Sequence, residues 1–207
     1  MAKYDKLKTQ DILTLIAASA ALRRLTILRR MISLAKDRKI PFIKIYETLL
    51  QNYLFTGYPS AIISLKVLKS FYPQKQISKS EDMNLYHFRE RGEINCKKVY
   101  DYKYEKLISN ISNFSPDLSE WLVLEGYGKV LGRSGLSFKE RELCIVAVLA
   151  SLKYEEQLYS HINGAYRTKA TVAEIKRVIV NLDLVGRKNI SSFGLGVLEK
   201  FEKVKGM

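Results

Sequence analysis

The chain contains an internal repeat that restricts the folds open to it. When residues 13–71 are aligned without a gap on residues 143–201, 13 of the 59 aligned positions are identical. Nearly all of the identical residues are small or aliphatic, as at Leu13/Leu143 and Ala17/Ala147, and residues of these types usually occupy core positions. The repeat predicts two similar lobes, although two helical segments can share such matches without a common origin.

Sequence patterns in both halves favour helices. Residues 11–37 carry apolar side chains at intervals of three and four, which is the period of an amphipathic helix. Ser137–Glu140 and Thr171–Glu174 each place a hydroxyl three residues before a glutamate, the capping-box pattern of a helix start. The chain has only 4 Pro and 11 Gly, and no stretch of it has a convincing strand pattern. We therefore predict an all-α protein with two pseudo-repeated helical lobes.

We predict three parts along the chain. Residues 1–72 form a degenerate N-terminal helical lobe, and residues 115–207 form the lobe with the candidate site. Between them, residues 73–114 form a connector and a linking helix, which we place at 96–111. The connector is assigned because residues 73–84 are polar and show no apolar period.

The net charge of +14 permits an anionic partner but does not identify one. Lysine and arginine are scattered along the whole chain without a block of five or more, so we interpret most of this charge as a solvated surface. Residues 170–189 superficially resemble a helix-turn-helix, but their apolar face points inward, and nucleic acid is therefore an unlikely partner.

The sequence predicts no association with a membrane. No run of 18 or more apolar residues is present. The first 24 residues resemble a secretory signal, but Asp11 interrupts their apolar stretch, which continues at helical spacing. Cys96 and Cys144 are far apart and form no Cys-x-x-Cys, which is typical of reduced thiols. We therefore expect a cytoplasmic protein with no metal site.

The most informative polar residues are Glu142 and His161. On a helix over 154–168, His161 lies on the apolar face, and Glu142 lies on the inward face of the preceding helix. A buried carboxylate is costly unless it is paired, and consecutive helices joined by a short break pack antiparallel, so the two side chains can meet. Such a pair is a common acid–base unit. A lone histidine on an apolar face is more often a core residue, so spacing alone leaves catalysis open.

Several segments resemble the carboxymuconolactone decarboxylase family, which includes alkyl hydroperoxidase D. They are GYGKVLGRSGLSFKERELCIVAVLASL at 126–152, QLYSHINGA at 157–165 and ATVAEI at 170–175, while FIKIYETLLQNYLFTGYPSAIISL at 42–65 resembles the end of the family pattern. The resemblance implies an alkyl hydroperoxidase D-like helical bundle and a homo-oligomer, commonly a trimer or hexamer.

The resemblance also implies one of two chemistries. The hydroperoxidase branch uses Cys-x-x-Cys-x-x-x-His, and its two cysteines would fall on Tyr154 and Gln157 of this chain. Both thiols are absent, so a dithiol mechanism is excluded at that position. Glu142 stands 19 residues before His161, as that branch requires. The decarboxylase branch keeps the histidine and needs no cysteine.

We therefore predict decarboxylase-type acid–base chemistry on a small, anionic molecule, without a cofactor. The catalytic residues would be His161, Glu142 and Tyr154, and Arg133 and Gln157 would bind the substrate. Arg141 is a further candidate for carboxylate binding, but we favour a structural ion pair for it.

Two alternatives remain open at this point. One is a peroxidase or antioxidant protein in which Cys144 or Cys96 acts alone. The other is a non-catalytic, oligomeric binding protein of the same fold.

Overall fold

The computed structural model describes residues 4–78, 83–186 and 189–206, and every regular element in these ranges is helical. The prediction of an all-α fold is therefore confirmed. The chain forms two compact units. The first contains the residues up to Pro73 together with those from Gly135 onward, and the second contains Gln74–Ser134.

The first unit contains eight of the α-helices in the described part of the chain. They are α1 (Thr9–Ala21), α2 (Leu25–Asp37), α3 (Phe42–Gln51), α4 (Tyr53–Phe71), α8 (Phe138–Leu152), α9 (Glu155–Arg167), α10 (Val172–Asn181) and α11 (Ile190–Lys205). The predicted helix starts near 138 and 172 are confirmed. Ser137 and Thr171 accept hydrogen bonds from the backbone N–H groups of Glu140 and Glu174, and both capping boxes are complete.

The repeat is visible in the boundaries of the elements. Helices α9 and α10 begin and end 130 residues after α2 and α3, at both ends of each helix. The turns correspond as well. Arg23 and Lys153 have φ angles of 54° and 61°, and Lys39 and Lys169 have φ angles of 55° and 74°. Left-handed backbone is uncommon outside glycine, so its recurrence at equivalent positions supports two pseudo-repeated lobes.

Helices α1 and α8 are equivalent in the repeat and form the centre of the first unit. Both are almost entirely buried, from Asp11 to Ala21 and from Arg141 to Ser151, as expected for helices that are apolar on all sides. They run side by side in the same direction. The Gln10 amide lies 3.4 Å from the Glu140 carbonyl oxygen at one end, and the two C-termini border the same pocket at the other.

Two ion pairs link the lobes at equivalent positions of the repeat with their charges exchanged, and one of them is fully buried and the other partly buried. Arg141 donates to Glu47 at 3.0 Å, and Arg177 donates to Asp11 at 2.9 Å. Position 11 corresponds to 141, and 47 corresponds to 177. The first lobe therefore supplies both anions and the second lobe both cations, and each of these charges is paired across the boundary between the lobes.

Pro41 suits the first turn of a helix and Gly57 suits a stop, so the sequence predicts a single helix over 41–55. The structure divides this segment between α3 and α4. Helix α3 ends at Gln51, where the Asn52 side-chain amide donates to the Ala17 carbonyl at 2.9 Å. Helix α4 is kinked at Gly57, whose φ of 73° is the left-handed value expected at the predicted stop. Pro59 follows this kink inside the helix.

The second unit is built from α5 (Leu85–Tyr100), α6 (Tyr104–Ser112), α7 (Pro116–Trp121) and a π-helical segment, Leu122–Val130. The π-helical segment packs closely on α5, because a Cβ atom at Gly92 would lie 2.1 Å from the Val123 carbonyl oxygen. The predicted helix over 96–111 is wrong. Asp101, with φ of 53°, starts a 3₁₀ turn between α5 and α6. Residues 79–82 of the predicted connector lie outside the described residues.

No helix in the described ranges is both long and apolar enough to cross a membrane.

Candidate functional site

The predicted pair of Glu142 and His161 is formed. The Nδ1 atom of His161 lies 2.8 Å from Oε2 of Glu142, and 10% of the histidine side chain and 1% of the glutamate side chain are exposed. Lys153 and Tyr154 reverse the chain between α8 and α9. The second turn of α8 therefore faces the middle of α9, which brings the two side chains together.

The hydrogen bond fixes how the imidazole is presented. An ionised carboxylate only accepts hydrogen bonds, so Nδ1 of His161 donates to Glu142 and Nε2 is the atom left for chemistry. Nε2 has no hydrogen-bond partner among the residues that the structure describes. The Phe55 ring meets the imidazole edge-on, at 6.0 Å between the ring centroids and 84° between the planes. A buried, oriented imidazole with one free nitrogen can give a proton to a bound molecule or take one from it.

The other three predicted site residues lie in different settings. Tyr154 is the N-cap residue of α9, and 51% of it is exposed. It borders a pocket of about 380 Å³ that Phe55 also borders. Gln157 is exposed on α9, one turn before His161. Arg133 is half-buried and belongs to the second unit, where its backbone N–H donates to the Val130 carbonyl.

The interpretation of Arg141 as a structural residue agrees with its surroundings. The side chain is 1% exposed, and it donates to Gln51 at 3.1 Å in addition to its ion pair with Glu47. Arg141 and Glu142 are neighbours on α8, yet they point to different partners. Arg141 contacts the first lobe, and Glu142 contacts α9 of the second.

The environment of Cys144 does not favour a peroxidase that uses a single cysteine. The residue is fully buried, and this burial raises the pKa of its thiol to about 12. The reactive species is the thiolate, which is disfavoured at such a pKa. Cys96 is also buried, in the second unit.

The segment that superficially resembles a helix-turn-helix turns its apolar face inward, as its sequence pattern indicates. Three residues of α10, Ile175, Val178 and Ile179, are fully buried and hold this helix in the core of the first unit.

Sequence reasoning missed Phe55 and the two ion pairs that link the lobes. Phe55 lies in the first lobe and has no sequence signal that connects it to His161, 106 positions later. The ion pairs did have a signal. In the alignment of the repeat, Asp11 is equivalent to Arg141, and Glu47 is equivalent to Arg177. A search for opposite charges at equivalent positions would therefore have found the four residues of the two ion pairs.

Comparison with known proteins gives three findings. Residues 116–199 match the model of the carboxymuconolactone decarboxylase family. The chain is 22% identical over 120 residues to a 4-carboxymuconolactone decarboxylase of Acinetobacter baylyi, covering 58% of this chain and 90% of that protein. It is 26% identical over 136 residues to Peroxisomal protein 2 of Schizosaccharomyces pombe, covering 64% of this chain and 63% of that protein. Glu142 and His161 both lie inside the segment that matches the family.

Proposed function

We propose that this protein is a decarboxylase-type enzyme in which Glu142 and His161 act on a small anionic molecule. The match of residues 116–199 to the model of the carboxymuconolactone decarboxylase family supports this proposal. The observation that supports this most directly is the buried 2.8 Å hydrogen bond between Nδ1 of His161 and Oε2 of Glu142. The proposed chemistry needs neither a metal nor a cofactor.

The proposed substrate is an unsaturated lactone acid. The bond between the ring carbon and the carboxylate breaks, CO₂ leaves, and the electron pair delocalises into the lactone carbonyl as a dienolate. The imidazolium Nε2 of His161 then delivers its proton to carbon, which leaves a neutral imidazole to be reprotonated from solvent. Apart from the proton, no oxidant, reductant or co-reactant takes part.

Glu142 has a positioning role in this scheme. Its carboxylate accepts the Nδ1 proton of His161, holds the ring in one orientation and balances the charge of the imidazolium. The Tyr154 hydroxyl is proposed to donate a hydrogen bond to the developing negative charge, and the Gln157 amide is proposed to contact the substrate. A role for Arg133 in substrate binding stays a prediction.

The substrate to test first follows from the comparison. The Acinetobacter protein is named a 4-carboxymuconolactone decarboxylase, so 4-carboxymuconolactone is the reference compound. Related lactone acids form the second set, since 22% identity is compatible with a change of substrate within one chemistry. A homo-oligomeric state and a cytoplasmic location are part of this proposal.

The test is CO₂ release from 4-carboxymuconolactone by the purified protein and by His161→Gln. General acid–base catalysis is worth about 10²–10⁴ in rate, so we expect the variant to lose activity by a factor in that range. His87 provides the matched control. It is the other of the two histidines, and it is exposed in the second unit, so His87→Gln should keep full activity.

Two outcomes would contradict the proposal. One is equal CO₂ release by the wild type and by a His161→Gln variant with an unchanged melting temperature. The other is the absence of turnover with the reference lactone and with every related lactone acid in the second set.

A further inference from the structure

A pocket of about 380 Å³ lies in the first unit, where the C-termini of α1 and α8 meet the kinked part of α4. Its volume is in the range of small-molecule sites. The residues that line it include Arg23, Phe55, Pro59, Ile63, Leu152 and Tyr154. Most of this lining is apolar or aromatic, which suits the flat body of a small ring.

Phe55 connects this pocket with the Glu142–His161 pair. Its ring borders the pocket and also makes the edge-on contact with the imidazole. Tyr154 borders the pocket from the other lobe, and it precedes the helix that carries His161. Phe55 therefore contacts both the pocket and the ring of His161, which does not itself border the pocket.

Arg23 is the charged side chain of this lining, and its charge is uncompensated. It is exposed, and no ion pair or hydrogen bond of its side chain is found among the described residues. Its backbone is held in the left-handed region, with φ of 54°, in a turn that recurs at Lys153. A planar guanidinium matches a carboxylate with two hydrogen bonds.

We propose that this pocket is the substrate site for the Glu142–His161 pair and that Arg23 binds a carboxylate which the substrate keeps through the reaction. The inference rests on the proposed function for its chemistry. A cation on the departing carboxylate would stabilise the reactant and oppose loss of CO₂, so Arg23 holds a second carboxylate. The substrate class is a small ring that carries a second carboxylate besides the one at the reacting carbon. In this proposal Phe55 is a gate between the bound substrate ring and the imidazole of His161, and a rotation of its side chain opens the gate.

The test is calorimetric titration with 2-furoate, a flat ring that carries one carboxylate, and with furan-2-carboxamide, its neutral counterpart. We expect 2-furoate to bind the wild type, and Arg23→Gln to weaken this binding at least tenfold. Arg24→Gln is the matched control, because Arg24 is the exposed neighbour and does not border the pocket. The neutral amide should bind the wild type and Arg23→Gln alike.

A second readout tests the connection with the site. Addition of 2-furoate should shift the imidazole ¹⁵N resonances of His161 in the wild type, and this shift should disappear in Arg23→Gln. Binding should persist in His161→Gln, since that variant keeps the pocket.

The result that overturns the inference is equal binding of 2-furoate to Arg23→Gln and Arg24→Gln, or no binding to the wild type. Turnover that depends on His161 with no effect of Arg23→Gln on KM would also overturn it, while leaving the proposed function intact. Turnover that does not depend on His161, together with binding of 2-furoate that depends on Arg23, would contradict the proposed function and leave the binding role of Arg23 intact.

Discussion

At the scale of single residues, the two adjacent buried charges of α8 show how this chain keeps polar groups in its core. Arg141 and Glu142 are each 1% exposed, and each has a charged or titratable partner at 3.0 Å or 2.8 Å. A buried charge is tolerated only with such a partner. One pair joins the lobes, and the other has a free imidazole nitrogen, so the same physical requirement serves stability in one case and chemistry in the other.

Removal of Arg141 alone should therefore be severe. Arg141→Met removes the guanidinium from the buried Glu47 carboxylate, and breaking such a pair costs about 3–5 kcal/mol in the free energy of unfolding. Urea denaturation measures this value. The double variant Arg141→Met, Glu47→Leu should recover most of the loss, because no charge is then left unpaired.

Lys139→Met is the control for this experiment. Lys139 and Glu174 form an ion pair whose side chains are 35% and 28% exposed, and pairs of this kind contribute about 0–1 kcal/mol. A loss at Arg141 no larger than the loss at Lys139 would show that the buried pair contributes little.

Sequence reasoning at this scale succeeded where a side chain lies on a clear helical face. His161 and Glu142 could be placed because both occur on inward faces of consecutive helices. Glu47 and Arg141 are separated by 94 positions, so their contact depends on the packing of α3 against α8, which no local pattern specifies.

At the scale of elements, the boundaries of the helices follow their caps wherever a cap is present. The capping boxes at Ser137 and Thr171 begin α8 and α10 at the predicted positions. The break at Asp101 was missed because neither glycine nor proline marks it. The end of α3 was missed because a tertiary contact, from Asn52 to Ala17, sets it.

Thr171→Ala should lower the free energy of unfolding by about 1 kcal/mol, because the Glu174 N–H loses its acceptor at the start of α10. Chemical denaturation of the two proteins checks this. Thr26→Ala is a suitable control, since Thr26 is exposed on α2 and caps no helix. An equal effect of the two substitutions would count against the capping role.

The capping box of Thr171 and Glu174 should also make the free energy of unfolding depend on pH. The Lys139 ammonium, followed by the Thr171 backbone N–H, holds the pKa of Glu174 below the ordinary value of a glutamate. The unfolded state then binds more protons, so the stabilisation is present above about pH 4.5 and is lost as the pH falls through the lowered pKa. Glu174→Gln should remove this part of the acid dependence in a series of melting curves.

At the scale of the whole molecule, the positive charge is concentrated in the first unit. Residues 1–73 and 135–207 carry 25 Lys and Arg against 12 Asp and Glu, while residues 74–134 carry 10 against 9. The repeat predicted the two lobes from their apolar positions. Sequence similarity alone did not indicate that residues 115–134 belong to the second unit, because the family match extends from 116 to 199 and compactness depends on packing.

This concentration of charge should make the protein more stable in salt. Like charges on a compact surface repel one another, and 0.15 M salt screens them over about 8 Å. We expect the melting temperature to rise between 10 mM and 150 mM NaCl at pH 7, as measured by calorimetry. A fall over this range would mean that favourable surface ion pairs outweigh the repulsion.

The central claim is that Glu142 and His161 act as one acid–base unit, and a double-mutant cycle on kcat/KM with 4-carboxymuconolactone tests it most directly. Residues that act as a unit are not additive. We predict that Glu142→Gln lowers kcat/KM, that His161→Gln lowers it by about 10²–10⁴, and that the double variant is no worse than His161→Gln. Effects that multiply in the double variant, or a His161→Gln enzyme that keeps the kcat/KM of the wild type, would contradict the claim.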